Sequence, residues 1–242
     1  NTVTGYKVLR IEASNDETSE VKAAVEAAEE GETVVIPDSY QGTLPTPKEK
    51  ITIICEPGTV FEGTSSLNIK GSTLVGATFK NDNGSVVNQS TINGVFEDCT
   101  FEGYNGLRSC YAGETVEFIN CVFDGDLYGV HFDGGANEVT FENCVFSGFN
   151  TFAAKITQLN IIGCTFKALG NNSYNGINMW GNTKLENCNF EFDGTRTEWI
   201  DAAGDYKTIE LTDCKVNGEP LSGDIVGDYG NGNIIILDGN YF

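Results

Sequence analysis

Seven side chains in the middle of this chain could do chemistry together if one frame brought them to a common face: Arg108, His131, Asp133, Lys155, Asn178, Trp180 and Asp201. His131 is the single histidine, and so the one imidazole available as a general acid or base. Arg108 or Lys155 could serve as a basic residue, and Asp133 and Asp201 as acids or oxygen ligands. Asn178 offers a carboxamide to hydroxyl groups. Trp180, with Trp199, Tyr104 and Tyr174 nearby, offers flat apolar faces against which a ring could stack. The candidate catalytic set is therefore Arg108, His131, Lys155, Asp133 and Asp201. The candidate substrate-binding set is Asn178, Trp180, Trp199, Tyr104 and Tyr174.

What could align them is a repeat. A large apolar residue, any residue, Asn or Asp, Cys, any residue and an aromatic or apolar residue recur as Phe96–Phe101, Phe118–Phe123, Phe141–Phe146, Leu185–Phe190 and Leu211–Val216. Ile161–Phe166 is a copy with Gly163 in the Asn place. Leu74–Phe79 and Ile236–Tyr241 lack the cysteine. The cysteine position falls at 77, 99, 121, 144, 164, 188, 214 and 239, with Cys55 upstream in the same row. A step of about 20–26 residues marks a solenoid. Short alternating runs and Gly/Asn turns, with no helical periodicity, make its units strands.

The expected fold is therefore all-β: a right-handed, single-stranded parallel β-helix of about nine coils, forming one domain over residues 1–242. Residues 1–32 form an N-terminal cap and 33–242 the coils. Cys and Phe, two apart, share a strand face and point inward. The Asn or Asp before Cys suits a turn in the left-handed backbone region. Setting Leu107, Val130, Ile177 and Ile200 inward turns Arg108, His131, Asn178 and Asp201 outward, with Asp133, Lys155 and Trp180 in the neighbouring outward row. A slip of one residue in any coil would reverse this.

The eight cysteines contain no Cys-x-x-Cys pair. A line of thiols one coil apart does not converge as zinc ligands do, and parallel side chains do not face each other for disulfides. They are expected as buried free thiols, with Cys110, off the row, more exposed. Thr18 or Ser19 can cap a helix carrying Val21, Ala24, Val25 and Ala28 on one stripe and ending at Gly31. Thr33-Val34-Val35-Ile36 then forms the first strand. No comparable element closes the C-terminal end, which another chain or domain is expected to cover.

The run Tyr128–Cys144 resembles one coil of the pectin-lyase-like β-helix superfamily, and Val21–Pro37 resembles that superfamily's cap and first strand. The resemblance covers nearly the whole chain. It implies a substrate cleft on the sheet that carries the seven residues, and an extracellular or cell-surface protein that binds or processes a polysaccharide. The superfamily also contains tailspikes and adhesins, so a non-catalytic adhesin or a phage or cell-surface structural module is the alternative. The Gly-Asp-Asp, Gly-His-Gly and Arg-x-Lys motifs of its polygalacturonase-like members are absent. Its calcium-dependent lyases gather carboxylates, for which Asp126, Asp133 and Asp201 are available. No cofactor is expected, with Ca²⁺ left open.

A formal charge of −21, from 35 acidic and 14 basic residues, argues against nucleic acid and anionic membranes as partners. No apolar run approaches the ~18 residues that would span a bilayer. The expected partner is a polysaccharide or cell-surface glycan.

Overall fold

The computed structural model describes residues 8–10, 17–63, 67–135, 138–148, 152–154, 156–168, 177–192, 200–222, 226–228 and 231–241. The chain winds as a parallel β-helix of about eight turns rather than nine. One helix, Glu17–Ala27, precedes the coils. Val21, Val25 and Ala28 on its inner face are buried. Because the helix already includes Glu17, Thr18 and Ser19 lie within its first turn instead of capping it. Gly31 ends the cap at φ +82°, a left-handed conformation that costs glycine little.

Three sheets run along the axis. The first joins Val8–Arg10, Thr33–Ile36 and Thr52–Cys55 to the segments that precede each ladder cysteine, as far as Ile234–Leu237. The second joins the segments that follow the cysteines, from Val60–Glu62 to Lys215–Val216. The third contains Val87, Leu107, Val130, Phe152, Ile177, Ile200 and Val226 in one register row. In the middle coils the strand continues round the corners; Thr100–Ile119 visits all three faces.

Strand alternation turns one phenylalanine of each coil inward, and parallel register stacks it on the next. Phe61, Phe79, Phe101, Phe123, Phe146, Phe166 and Phe190 form a column with neighbouring ring centroids 4.8–5.2 Å apart. Phe96, Phe118 and Phe141 form a second column, stacked at 4.9 and 5.0 Å. The columns touch edge to face, as Phe118 does Phe123 at 5.2 Å, so the rings of the middle coils meet both favourable aromatic geometries.

The corner between the first two sheets explains the repeat. Asp98, Asn120, Asn143, Asn187, Asp213 and Asp238 have φ between 47° and 54°, and Gly76 and Gly163 fill the same place at 75° and 62°. Asn and Asp tolerate this region better than other side-chain-bearing residues. The reversed residue donates its N–H to the coil above, as Asn120 does to Glu142 O at 2.9 Å. Two residues on, the N–H turns to the coil below, as from Val122 to Cys99 O at 2.9 Å. The cysteine between them points inward. Its thiol donates to a carbonyl of the coil below, Cys121 to Phe96 O at 3.3 Å and Cys144 to Phe118 O at 3.4 Å. A thiol is small and apolar enough for the core, yet still a weak donor.

All eight cysteines are free and buried, Cys110 included. The expectation that Cys110 would be more exposed fails because of a bulge. Leu107 pairs with Val130 and Cys110 with Phe132, so three steps on one coil oppose two on the next. Ser109, at φ 50°, absorbs the extra residue and turns Cys110 into the core.

The last strands of the first two sheets fold back as hairpins. Lys215–Val216 folds back antiparallel on Glu219–Pro220, and Ile236–Leu237 on Asn240–Tyr241. Asn217-Gly218 and Asp238-Gly239, all with positive φ, form the two-residue hairpin turns.

Two outcomes follow. Burial pushes the thiols of Cys55, Cys121 and Cys144 well above their ordinary pKa and that of Cys110 up to about 12. A thiol reagent at neutral pH should therefore find few groups in the native protein and approach eight after unfolding without reductant. At the corner, Asn143→Gly should leave stability nearly unchanged, whereas Asn143→Val should cost about 1–3 kcal/mol in chemical denaturation, because a β-branched residue is strained at positive φ.

Candidate functional site

The outward side of the third sheet carries Arg108, His131, Asp133 and Asn178, with Asp201 in the same register. Val130 and Phe132 are buried, as are Ile177 and Met179, so His131 and Asn178 between them project away from the core. Asn178 pairs in register with Asp201, and Asn88 with Arg108. Arg108 is exposed. Asp201 keeps the outward register but is only 3% exposed, so it is not part of the open surface. Lys155, Tyr174 and Trp199 lie outside the described residues.

His131 and Asp133 are in close contact. They sit two apart on Val122–Gly135, on the same outward face, with His131 Nε2 3.2 Å from Asp133 Oδ1. Tyr128, not anticipated, stacks on the imidazole, with centroids 5.0 Å apart and planes at 30°. The ring thus meets an aromatic face and a carboxylate. Both partners remain partly accessible, with His131 22% and Asp133 33% exposed at the side chain. This pair can accept or donate a proton at a surface a polymer could reach, and can bind hydroxyl groups.

The exposed aromatic residues flank the sheet on two edges. Tyr104 lies at the corner that leads into the third sheet, beside Asn105, which pairs with Tyr128 of the next coil. Tyr111, Trp180 and Tyr206 lie at the corner that leads out of it, and all three are exposed. Trp180 forms one wall of an open hollow of about 380 Å³, with Gly135, Ile156, Thr157, Asn182 and Lys207. Backbone proximity builds it: a Cβ on Gly181 would lie 1.8 Å from Ile156 O, and one on Gly204 would lie 2.5 Å from Trp180 O. The carboxamide oxygen of Asn182 is engaged by Thr208 N at 3.0 Å, which turns its amide group toward donation. Lys207, Asn182, Tyr206 and Tyr128 carry no repeat signature. Only their neighbours on adjacent coils bring them to the sheet.

Asp126, Asp133 and Asp201 do not gather into one cluster. Among the described residues no three His, Cys, Asp or Glu side chains gather so that they could hold a metal ion.

Comparison of the chain with protein-family models, with curated proteins and with solved structures finds no match. The class defined by the structure itself is the parallel β-solenoid. Among the described residues no helix is long and apolar enough to cross a membrane.

The single histidine gives the stacked arrangement a clean reporter. In Tyr128→Ala the imidazole carbon-bound protons should move downfield by a few tenths of a part per million, as the shielding ring is lost. An unchanged proton spectrum would show that Tyr128 does not cover His131 in solution.

Proposed function

We propose that this chain is an extracellular or cell-surface β-helix protein, akin to the pectin-lyase-like proteins, that binds a polysaccharide across its third sheet. The observation that carries the reading is the combination of the Tyr128–His131–Asp133 cluster with the Trp180 hollow along one face. Coils repeat at ~4.8 Å, so the strip from Arg108 through His131 and Asn178 covers a length suited to several sugar units. Charged, amide and phenol groups can orient hydroxyls by hydrogen bonds, while the indole covers the apolar side of a ring. The acidity of the chain supports a neutral or cationic polymer over a polyanion.

A second reading, cleavage of the bound glycan, is favoured by one contact, the 3.2 Å pairing of His131 with Asp133. There the carboxylate would orient the imidazole as a general base. Binding alone, as in an adhesin or structural module, requires nothing beyond the strip.

The test is a panel of soluble polysaccharides scored for binding and for product release, with wild type and a His131→Ala/Trp180→Ala variant. At about 1 kcal/mol per contact, losing two contacts should weaken binding on the order of 30-fold. Asp133→Asn should abolish product release while retaining binding if the pair is catalytic. Undiminished binding in a double variant that still folds would overturn the proposed surface.

A further inference from the structure

We propose that Asn83 is a self-modifying position: its side chain cyclises onto the backbone nitrogen of Gly84, loses ammonia and hydrolyses to aspartate and isoaspartate. Asn-Gly is the dipeptide with the least hindered backbone nucleophile, because Gly has no Cβ. The chain contains the pair at Asn83, Asn93, Asn105, Asn217 and Asn231, and at Asn175, which lies outside the described residues. The structure separates the five that are described.

Four are restrained. Gly94 pairs with Val116 in the parallel ladder, and the Asn93 carboxamide oxygen accepts Thr115 N at 3.0 Å. Asn105 is 1% exposed, and its amide nitrogen donates to Ser85 Oγ at 3.0 Å. In the tight turn at Asn217 the attacking group is engaged, since Gly218 N donates to Asn189 Oδ1 at 3.2 Å. Asn231 holds Asp205 Oδ1 through both its backbone and side-chain nitrogens, at 2.9 and 3.3 Å.

Asn83 differs in each respect. It is exposed. It sits in the interruption of register between Asn81 and Ser85, where the ladder to the next coil skips Asn83 and Gly84. Among the described residues its carboxamide has no hydrogen-bond partner, and Gly84 has no register partner in the ladder. Asn81 bridges the base of this bulge, accepting Asn83 N at 3.3 Å and donating to Ser85 O at 3.0 Å. The tip can thus sample the cyclising geometry while its ends stay fixed.

The balance is simple. The Gly84 nitrogen forms a bond to Asn83 Cγ, the Cγ–NH₂ bond breaks, and ammonia leaves with the former amide proton. Water then opens the ring at either carbonyl. No oxidant or cofactor takes part. The product places a second carboxylate beside Asp82, which already lies 3.6 Å from Lys80 Nζ. In the isoaspartyl form the backbone gains one methylene within the bulge.

The test is incubation of the intact chain in mildly alkaline buffer, with peptide mapping by mass spectrometry and enzymatic methylation of isoaspartate. A gain of about 1 Da is expected at Asn83 before any other described Asn-Gly pair, and faster at higher pH. Gly84→Ala should slow it several-fold with at most a small change in melting temperature, since Gly84 has no positive φ and a Cβ there would press only on the Asn81 side chain, at 3.2 Å. Earlier conversion at Asn93, Asn105, Asn217 or Asn231, no conversion at Asn83 while the unfolded chain converts, or an unchanged rate in Gly84→Ala would overturn the assignment.

Discussion

Parallel backbone pairing between successive coils carries this structure. A single coil of this sequence has no closed core and leaves its strand edges unpaired on both sides. Stacked in register, each edge is satisfied by the next coil and each inward side chain meets its counterpart one strand spacing away. The phenylalanine column, with centroids 4.8–5.2 Å apart, has the spacing of the backbone ladder itself. The ladder therefore sets the core, and the core in turn selects like residues at like positions.

That pairing must survive three corners in every coil. At the first corner it does so through residues in the left-handed region, which from Gly76 to Asn187 send their N–H to a carbonyl of the coil above before the chain reverts to the coil below. The adjoining thiol fits because it adds little volume and still reaches a carbonyl, as Cys188 does Ile161 O at 3.5 Å. Conformation, hydrogen bonding and packing thus impose one pattern together, which is why the motif is so regular there.

On the outside the same register lines up charge. Lys80 meets Glu102 at 2.8 Å, Lys167 meets Glu191 at 3.9 Å and Lys184 meets Glu210 at 3.9 Å, each across neighbouring coils. Such exposed pairs add little stability singly. They do offset like-charge repulsion in a chain with 35 acidic and 14 basic residues. Where the register breaks, surface chemistry changes. The bulge at Ser109 interrupts the row between Arg108 and His131, and that between Asn81 and Ser85 leaves an Asn-Gly tip outside the ladder.

The repeat, the parallel solenoid, the capping helix and the inward cysteine column were legible in the amino-acid order alone. Each rests on local alternation or on a conformational preference repeated at a fixed interval, as Asn120 and Asn143 show. The outward placement of His131 and Asn178 followed from the same alternation. The structure alone decided where that alternation fails or does not suffice. Cys110 enters the core because its coil holds one residue more than the next. Asp201 keeps its outward register and is nevertheless covered. Lys207 and Trp180 line one hollow because Gly204 and Gly181 let neighbouring coils approach closely. Alternation belongs to one strand and can be read from its residues; bulges, cover and close approach belong to pairs of coils, and are fixed only when the coils are stacked.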